Sequence, residues 1–194
     1  MASTYLTRTP SSAGNRSTWT VSFWFKNSES VSSDNDIFNV GTAGTDHALI
    51  FHRNDKKLEI KQYSSSAFQY QLTTNRLLRD TSAWYNVVYA YDDTQATEAD
   101  RIKLWINGVQ ETSFENSNYP SQNLQSKFNN NILHTLGRGI ESGTSTTYRY
   151  LNGLLSHFHF IDGTAYDASA FGETDSTTGE WKIKTSPSVT YGTN

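Results

Sequence analysis

Residues 18–26 alternate along the chain, with Trp19, Val21, Phe23 and Phe25 interleaved with Thr18, Thr20, Ser22, Trp24 and Lys26. A period of two sends these sets to opposite faces of a strand, so one face is expected in a core and the other outside it. Residues 102–106 repeat the pattern, with Ile102, Leu104 and Ile106 against Lys103 and Trp105. Asn107-Gly108 follows directly and leads into residues 109–114. Asn-Gly between two such runs predicts a type I′ hairpin, because both central residues need positive φ. Residues 84–91 are aromatic and β-branched, which suits a half-buried pleated surface. Three strands in register are therefore expected, with the polar stretch 92–100 left as a loop at one end of the sheet.

Further strands are expected at residues 5–8, 37–40, 48–53, 57–63, 68–73, 134–137, 154–161 and 181–184, with one helical turn at 168–171. Within 154–161, Leu154, Phe158 and Phe160 are expected opposite Leu155, His157, His159 and Ile161. The polar stretches 115–131 and 139–147 are read as loops, the first being the least structured part of the chain. About a dozen short strands separated by polar loops describe an all-β, two-sheet antiparallel β-sandwich or jelly roll.

The chain has 194 residues, which suits a single domain spanning 1–194. Its net charge is −3 and it carries no basic run, so a nucleic-acid footprint is absent. It has no cysteine, which excludes disulfides and thiolate metal sites. The N-terminal Met-Ala-Ser-Thr carries no basic-then-apolar signal pattern, and no apolar run is long enough for membrane insertion. A low charged fraction with abundant Ser, Thr and Asn suits an extracellular or particle-surface module.

Ser17-Thr18-Trp19-Thr20-Val21-Ser22-Phe23-Trp24-Phe25-Lys26 resembles the second strand of concanavalin A-like, laminin-G-like jelly rolls. The same is true of Asp80-Thr81-Ser82-Ala83-Trp84-Tyr85-Asn86-Val87-Val88, followed by Lys103-Leu104-Trp105-Ile106-Asn107-Gly108. Leu151-Asn152-Gly153, the strand ending at Gly163, and Thr164-Ala165-Tyr166 fit as well. With Phe171-Gly172-Glu173-Thr174 and Gly179-Glu180-Trp181, the resemblance is closest to domains embedded in marine bacteriophage structural proteins. It implies a lectin- or glucanase-type sandwich on a virion or other extracellular surface. In the phage examples an apolar strand follows the equivalent of Asn194 and closes one sheet edge, so the chain is expected to be a truncated or excised module. Such a fold hosts lectins, glucanases, adhesion modules and spacers alike, so function has to be read from the residues.

For hydrolysis, the glucanase branch of the superfamily implies Glu-x-Asp-x-Glu on one strand, its carboxylates sharing a face. The nearest match, Glu173-Thr174-Asp175-Ser176-Thr177, lacks the last Glu and lies in a Gly/Ser/Thr-rich stretch. No nucleophile elbow is present, so no enzyme is expected. Calcium is a candidate cofactor, since the family implies a loop-end site and calcium takes six to eight hard oxygens. Asp92, Asp93 and Asp100, with Glu98, crowd one loop, and Asp34-Asn35-Asp36 forms a second cluster. His157 and His159 share a strand face but have no identifiable further ligands.

Sugar binding is the sharper hypothesis. Trp24, Tyr63, Trp105 and His157, with Tyr89 and Tyr91, are expected on outward positions, where flat rings can stack on the C–H face of a pyranose. The competing reading treats these rings as cross-strand pairs that stabilise the sheets. Two classes of function follow. One is a non-catalytic glycan- or host-receptor-binding module, effective through repetition on a particle. The other is an architectural capsid or fibre domain that binds only other subunits of the particle.

Overall fold

The computed structural model describes residues 4–28, 33–43, 45–140 and 148–193. Among these, five strands form one antiparallel sheet. In spatial order they are Gly153–Asp162 (β14), Thr18–Asn27 (β2), Tyr85–Asp92 (β7), Ile102–Ile106 (β8) and Val109–Gln110 (β9). Seven form the other: Leu6–Arg8 (β1), His134–Leu136 (β11), Asn35–Ala43 (β3), Asp46–His52 (β4), Lys57–Ser64 (β5), Ala67–Leu77 (β6) and Phe114–Asn118 (β10). Two small hairpins complete the described strands, Arg138–Ile140 (β12) with Tyr148–Tyr150 (β13), and Gly172–Thr174 (β15) with Trp181–Ile183 (β16). The all-β, two-sheet sandwich expected from the alternation is the observed architecture. Among the described residues no helix is long and apolar enough to cross a membrane.

The core lies between the two large sheets. Trp19, Val21, Phe23 and Phe25 of β2 are all fully buried, as their period of two requires. Trp19 is the hub, its ring 5.2 Å from Tyr91 and nearly parallel to it, 5.1 Å from Tyr89 and 5.0 Å from Phe128. Each such ring, fully buried, contributes on the order of 2–3 kcal/mol of transfer free energy. Tyr89 and Tyr91 are therefore core residues at 0% exposure, which corrects their expected outward position. The reason is register: they pair with Val21 and Trp19, and directly paired residues share a face.

The Asn107-Gly108 turn forms as expected, with φ of +50° and +76°. The strand after it is shorter than the pattern implied. β9 stops at Gln110, and the chain crosses to the other sheet, where β10 pairs with β6. The crossing is held by Glu111, ion-paired to Arg76 at 2.7 Å, and by the Asn75 amide, which donates to the Ser113 carbonyl. The stretch 115–131 is thus more ordered than expected. It begins in β10 and later places Phe128 in the core. Strand β3 is longer than residues 37–40, and part of the expected loop 139–147 is β12, while residues 141–147 lie outside the described residues.

Strand β14 carries a bulge between Ser156 and His159, with His157 at φ +46°. One extra residue reverses the facing of everything before it. Leu155 joins Phe158 and Phe160 against the core, whereas Leu154 is exposed, the opposite of the expected split of the two leucines.

The outer face of the five-stranded sheet is also covered. The chain after Asp162 folds back so that Ala168 and Phe171 pack on Val88 and Ile161 as a second small core, joined by Trp105, Tyr166, Trp181 and Val189. Thr20, on this outer face, is buried there, its hydroxyl donating to the Thr164 carbonyl and accepting from the Tyr166 amide. The helical turn expected at 168–171 is present as a short 3-10 turn, Ala168–Ala170, capped by Asp167. The last expected strand is β16.

Candidate functional site

Three tryptophans meet on that outer face. Trp24 projects outward from β2 opposite Ser156 of β14. Trp84 stands just before β7 and is 38% exposed. Trp181 arrives from β16. With His157, Lys182 and Ile183 they line an open pocket of about 310 Å³.

Trp181 is held by two glycines. A Cβ at Gly108 would lie 2.4 Å from its Cε3, and one at Gly172 would lie 2.5 Å from its Cε2, so the indole rests directly on both backbones. Its Nε1–H donates to Asn86 Oδ1 at 3.0 Å, and the Asn86 amide nitrogen in turn donates to the Phe23 carbonyl at 3.2 Å. The ring is therefore fixed before any ligand arrives. Polar groups sit at the pocket rim. Ser156 Oγ and His157 Nδ1 are 2.6 Å apart, and Lys182 is ion-paired to Glu173 and Asp175 at 3.4 and 3.3 Å. Flat apolar walls with a hydrogen-bonding rim suit a ring that has one C–H face and several hydroxyls.

The expected sugar-binding residues do not form one surface. Trp24 and His157 share the pocket. Trp105 packs beside it on the Val88 cluster. Tyr63 lies on the outer face of the opposite sheet, tilted against Phe68 with ring centroids 4.1 Å apart and 5.2 Å from His47. Tyr89 and Tyr91 are in the core. Trp84 and Trp181, which line the same pocket, were not among the expected sugar-binding residues. Local pattern does not set them apart, since Trp84 opens the aromatic run 84–91 and Trp181 the strand expected at 181–184.

The outer face of the seven-stranded sheet carries a layer of ion pairs. Arg149 of β13 donates to both oxygens of Asp36, at 3.1 and 2.9 Å, and to Asp34 at 3.1 Å, latching the β12–β13 hairpin onto β3. Gly139 lies flush against Asp36, where a Cβ would fall 1.8 Å from Oδ2. Burial pushes the Asp36 carboxyl up to about 6, against the opposing pull of Arg149. Beside it, Lys61 sits 4.5 Å above the Phe51 ring and 3.1 Å from Glu59, which also accepts from Arg53 and Thr73. The Asp34-Asn35-Asp36 cluster is thus engaged by an arginine.

The calcium candidates do not converge. Asp92 accepts from the backbone and hydroxyl of Thr94 and from Gln95, and these bonds hold its carboxyl below the ordinary value against the effect of burial. Asp93 is buried, with Oδ2 accepting the Gln125 amide at 2.6 Å. Asp100 pairs with Lys103 at 3.1 Å. Asp93 Oδ1 is buried with no partner among the described residues, but one oxygen is far from the shell calcium takes. No group of three or more His, Cys, Asp or Glu among the described residues is placed to hold a metal ion. His159 turns to Tyr191, with Nδ1 2.8 Å from its hydroxyl, while His157 is displaced by the bulge. Glu173 and Asp175 sit on the exposed β15–β16 hairpin, both paired to Lys182.

The family model described as the concanavalin A-like lectin/glucanase superfamily matches residues 2–170. Among solved structures, domain 4 of the GH43 extracellular arabinanase AbnA from Geobacillus stearothermophilus, in complex with arabinotriose, is 16% identical. That alignment covers 85% of this chain and 78% of that one, at a TM-score of 0.55. The CBM40 of a Ruminococcus gnavus IT-sialidase bound to α2,3-sialyllactose is 15% identical over 78% of this chain and 76% of that one, TM-score 0.53. A heptameric SAP-like pentraxin from Limulus polyphemus is 15% identical over 84% and 70%, TM-score 0.53. Comparison with curated proteins gives no match. At these identities the solved structures establish a shared fold.

Proposed function

Because the chain belongs to the concanavalin A-like lectin/glucanase superfamily, we propose that it is a non-catalytic glycan-binding module whose sugar site is the tryptophan pocket. One observation carries this reading: Trp24, Trp84 and Trp181 line a single open pocket of about 310 Å³. Trp181 is fixed in advance by Gly108, Gly172 and Asn86, so little ordering is left for the ligand to drive. The solved complexes with sialyllactose and arabinotriose support it as precedents for glycan recognition on this fold. We place the module on the surface of a virus particle, a bacteriophage first, or on another extracellular surface. There a weak single site gains from repetition, and other particle subunits are its further partners.

The test is a glycan array probed with the whole chain, with calcium and with chelator. Binding to a restricted set of glycans is expected, unchanged by chelation because Asp92, Asp93 and Asp100 do not converge. Trp84→Ala should weaken it roughly tenfold or more, as for a central aromatic contact. No increase in reducing ends from a panel of glucans is expected. An array without hits, together with self-association that buries Trp84, would favour the architectural alternative. Unchanged binding in Trp84→Ala would remove the pocket from the proposal.

A further inference from the structure

Among the described residues, the two sheets are open along one side. β1 and β14 are the outermost strands of their sheets, and they face each other across a cleft. It consists of two adjoining cavities of about 460 and 560 Å³ that share Leu6, Leu136 and Phe158 as walls. Both volumes fall in the roughly 300–1,000 Å³ range of small-molecule sites. The larger cavity is floored by Phe38 and Phe160. Leu6, at 68% exposed, stands at its mouth.

One charged group on this cleft has no counter-charge among the described residues. Leu6 and Arg8 pair with Leu136 and His134, which contact the core, so Arg8 lies on the inward side of β1 and lines the larger cavity. It makes no ion pair among the described residues, whereas both ring nitrogens of His134 are occupied, by the Ile132 carbonyl and the Asn129 amide. An inward charge on an edge strand also discourages strand pairing, which accounts for the position of Arg8 but not for the volume behind it.

We infer that this cleft binds a free long-chain carboxylate, with its hydrocarbon chain between Leu6, Leu136, Phe158 and Phe160 and its carboxylate on the Arg8 guanidinium. The planar guanidinium fork matches a carboxylate in two parallel hydrogen bonds, and an extended alkyl chain matches a slot between two sheets. This site is separate from the tryptophan pocket and does not depend on its reading.

The experiment is calorimetric titration of the whole chain with sodium dodecanoate below its micellar concentration at pH 7.5, with sedimentation velocity in parallel. Saturable one-to-one binding is expected. Arg8→Gln, or dodecanol in place of dodecanoate, should weaken it roughly tenfold or more, since losing even one of the two charge-assisted hydrogen bonds has that effect. Leu6→Glu, on an exposed edge position, should abolish it by placing a like charge at the mouth. Trp84→Ala should leave it unchanged. The inference is overturned by absence of saturable binding, by equal affinity for the alcohol or for Arg8→Gln, or by a dimer whose formation excludes dodecanoate. The last result would assign the cleft to a second copy of the chain.

Discussion

Gly172→Ala tests the seat of Trp181. Gly172 has no positive φ, so adding a methyl strains no backbone and acts only through contact. The new Cβ would lie 2.5 Å from Cε2 and 2.6 Å from Nε1 of Trp181, well inside van der Waals distance, and the indole has to lift. Lifting costs about 1–3 kcal/mol of overpacking and displacement. It also breaks the bond from Nε1 to Asn86, whose side chain is buried, adding about 1 kcal/mol or more for the acceptor left behind. A total of about 2–4 kcal/mol corresponds to a fall in Tm of roughly 5–15 °C for a chain of this size. Thermal unfolding followed by circular dichroism reads it. The decisive measurement repeats Gly172→Ala in a Trp181→Ala background, where the three nearest atoms the methyl would strike are gone and its cost should largely vanish. Additive losses in the double variant would refute the reasoning, as would a single variant that melts with the wild type. Glycan binding should fall with Tm in Gly172→Ala alone.

Asp36 gives a pH prediction. Its folded value of about 6 lies above the ordinary 3.8, so it lowers stability above pH 6 and ceases to do so as the pH falls toward 4. The span is about 3 kcal/mol, and Asp36→Asn should therefore gain on the wild type at pH 7.5 relative to pH 4 in urea unfolding; parallel profiles would refute it. His134 acts with the opposite sign. Burial, then the charge of Arg8, hold its imidazole below 6.5, so its contribution is complete above pH 6.5 and is lost as the pH falls through the folded value. His134→Gln should show a shallower loss of stability below pH 6.5 than the wild type. Asn107→Ala places an alanine at φ +50° and leaves the Asn86 amide without its acceptor, for a loss of about 2 kcal/mol in chemical unfolding. Asn107→Gly should recover only the backbone part.

Much of the fold was legible because β2 and β8 alternate without interruption and Asn107-Gly108 fixes a turn. The errors occurred where a local pattern has two solutions. Residues 84–91 are apolar on both faces because the chain after Asp162 covers the outer one, so the facing of Tyr89 and Tyr91 follows only from pairing with β2. The Leu154–Leu155 inversion follows from one bulged histidine, which has no signature among alternating residues. The lining of the candidate pocket was half legible. Trp24 and His157, both read as sugar-binding candidates, do line it, but their union with Trp84 and Trp181 depends on a return of the chain across some 95 residues, recorded in sequence only by two small residues, Gly108 and Gly172. The acids of residues 92–100 illustrate the converse, since close spacing along a loop did not bring their oxygens to a common point.

The family match stops at residue 170, while Trp181, Lys182 and Ile183 come from the chain beyond it. The stacked rings around Trp19 lie inside the matched span and this hairpin outside it, so the two can be varied separately. A library varying positions 173–183, with Gly172 and Trp181 held constant, would diversify one wall of the pocket without touching the residues that keep the sandwich folded.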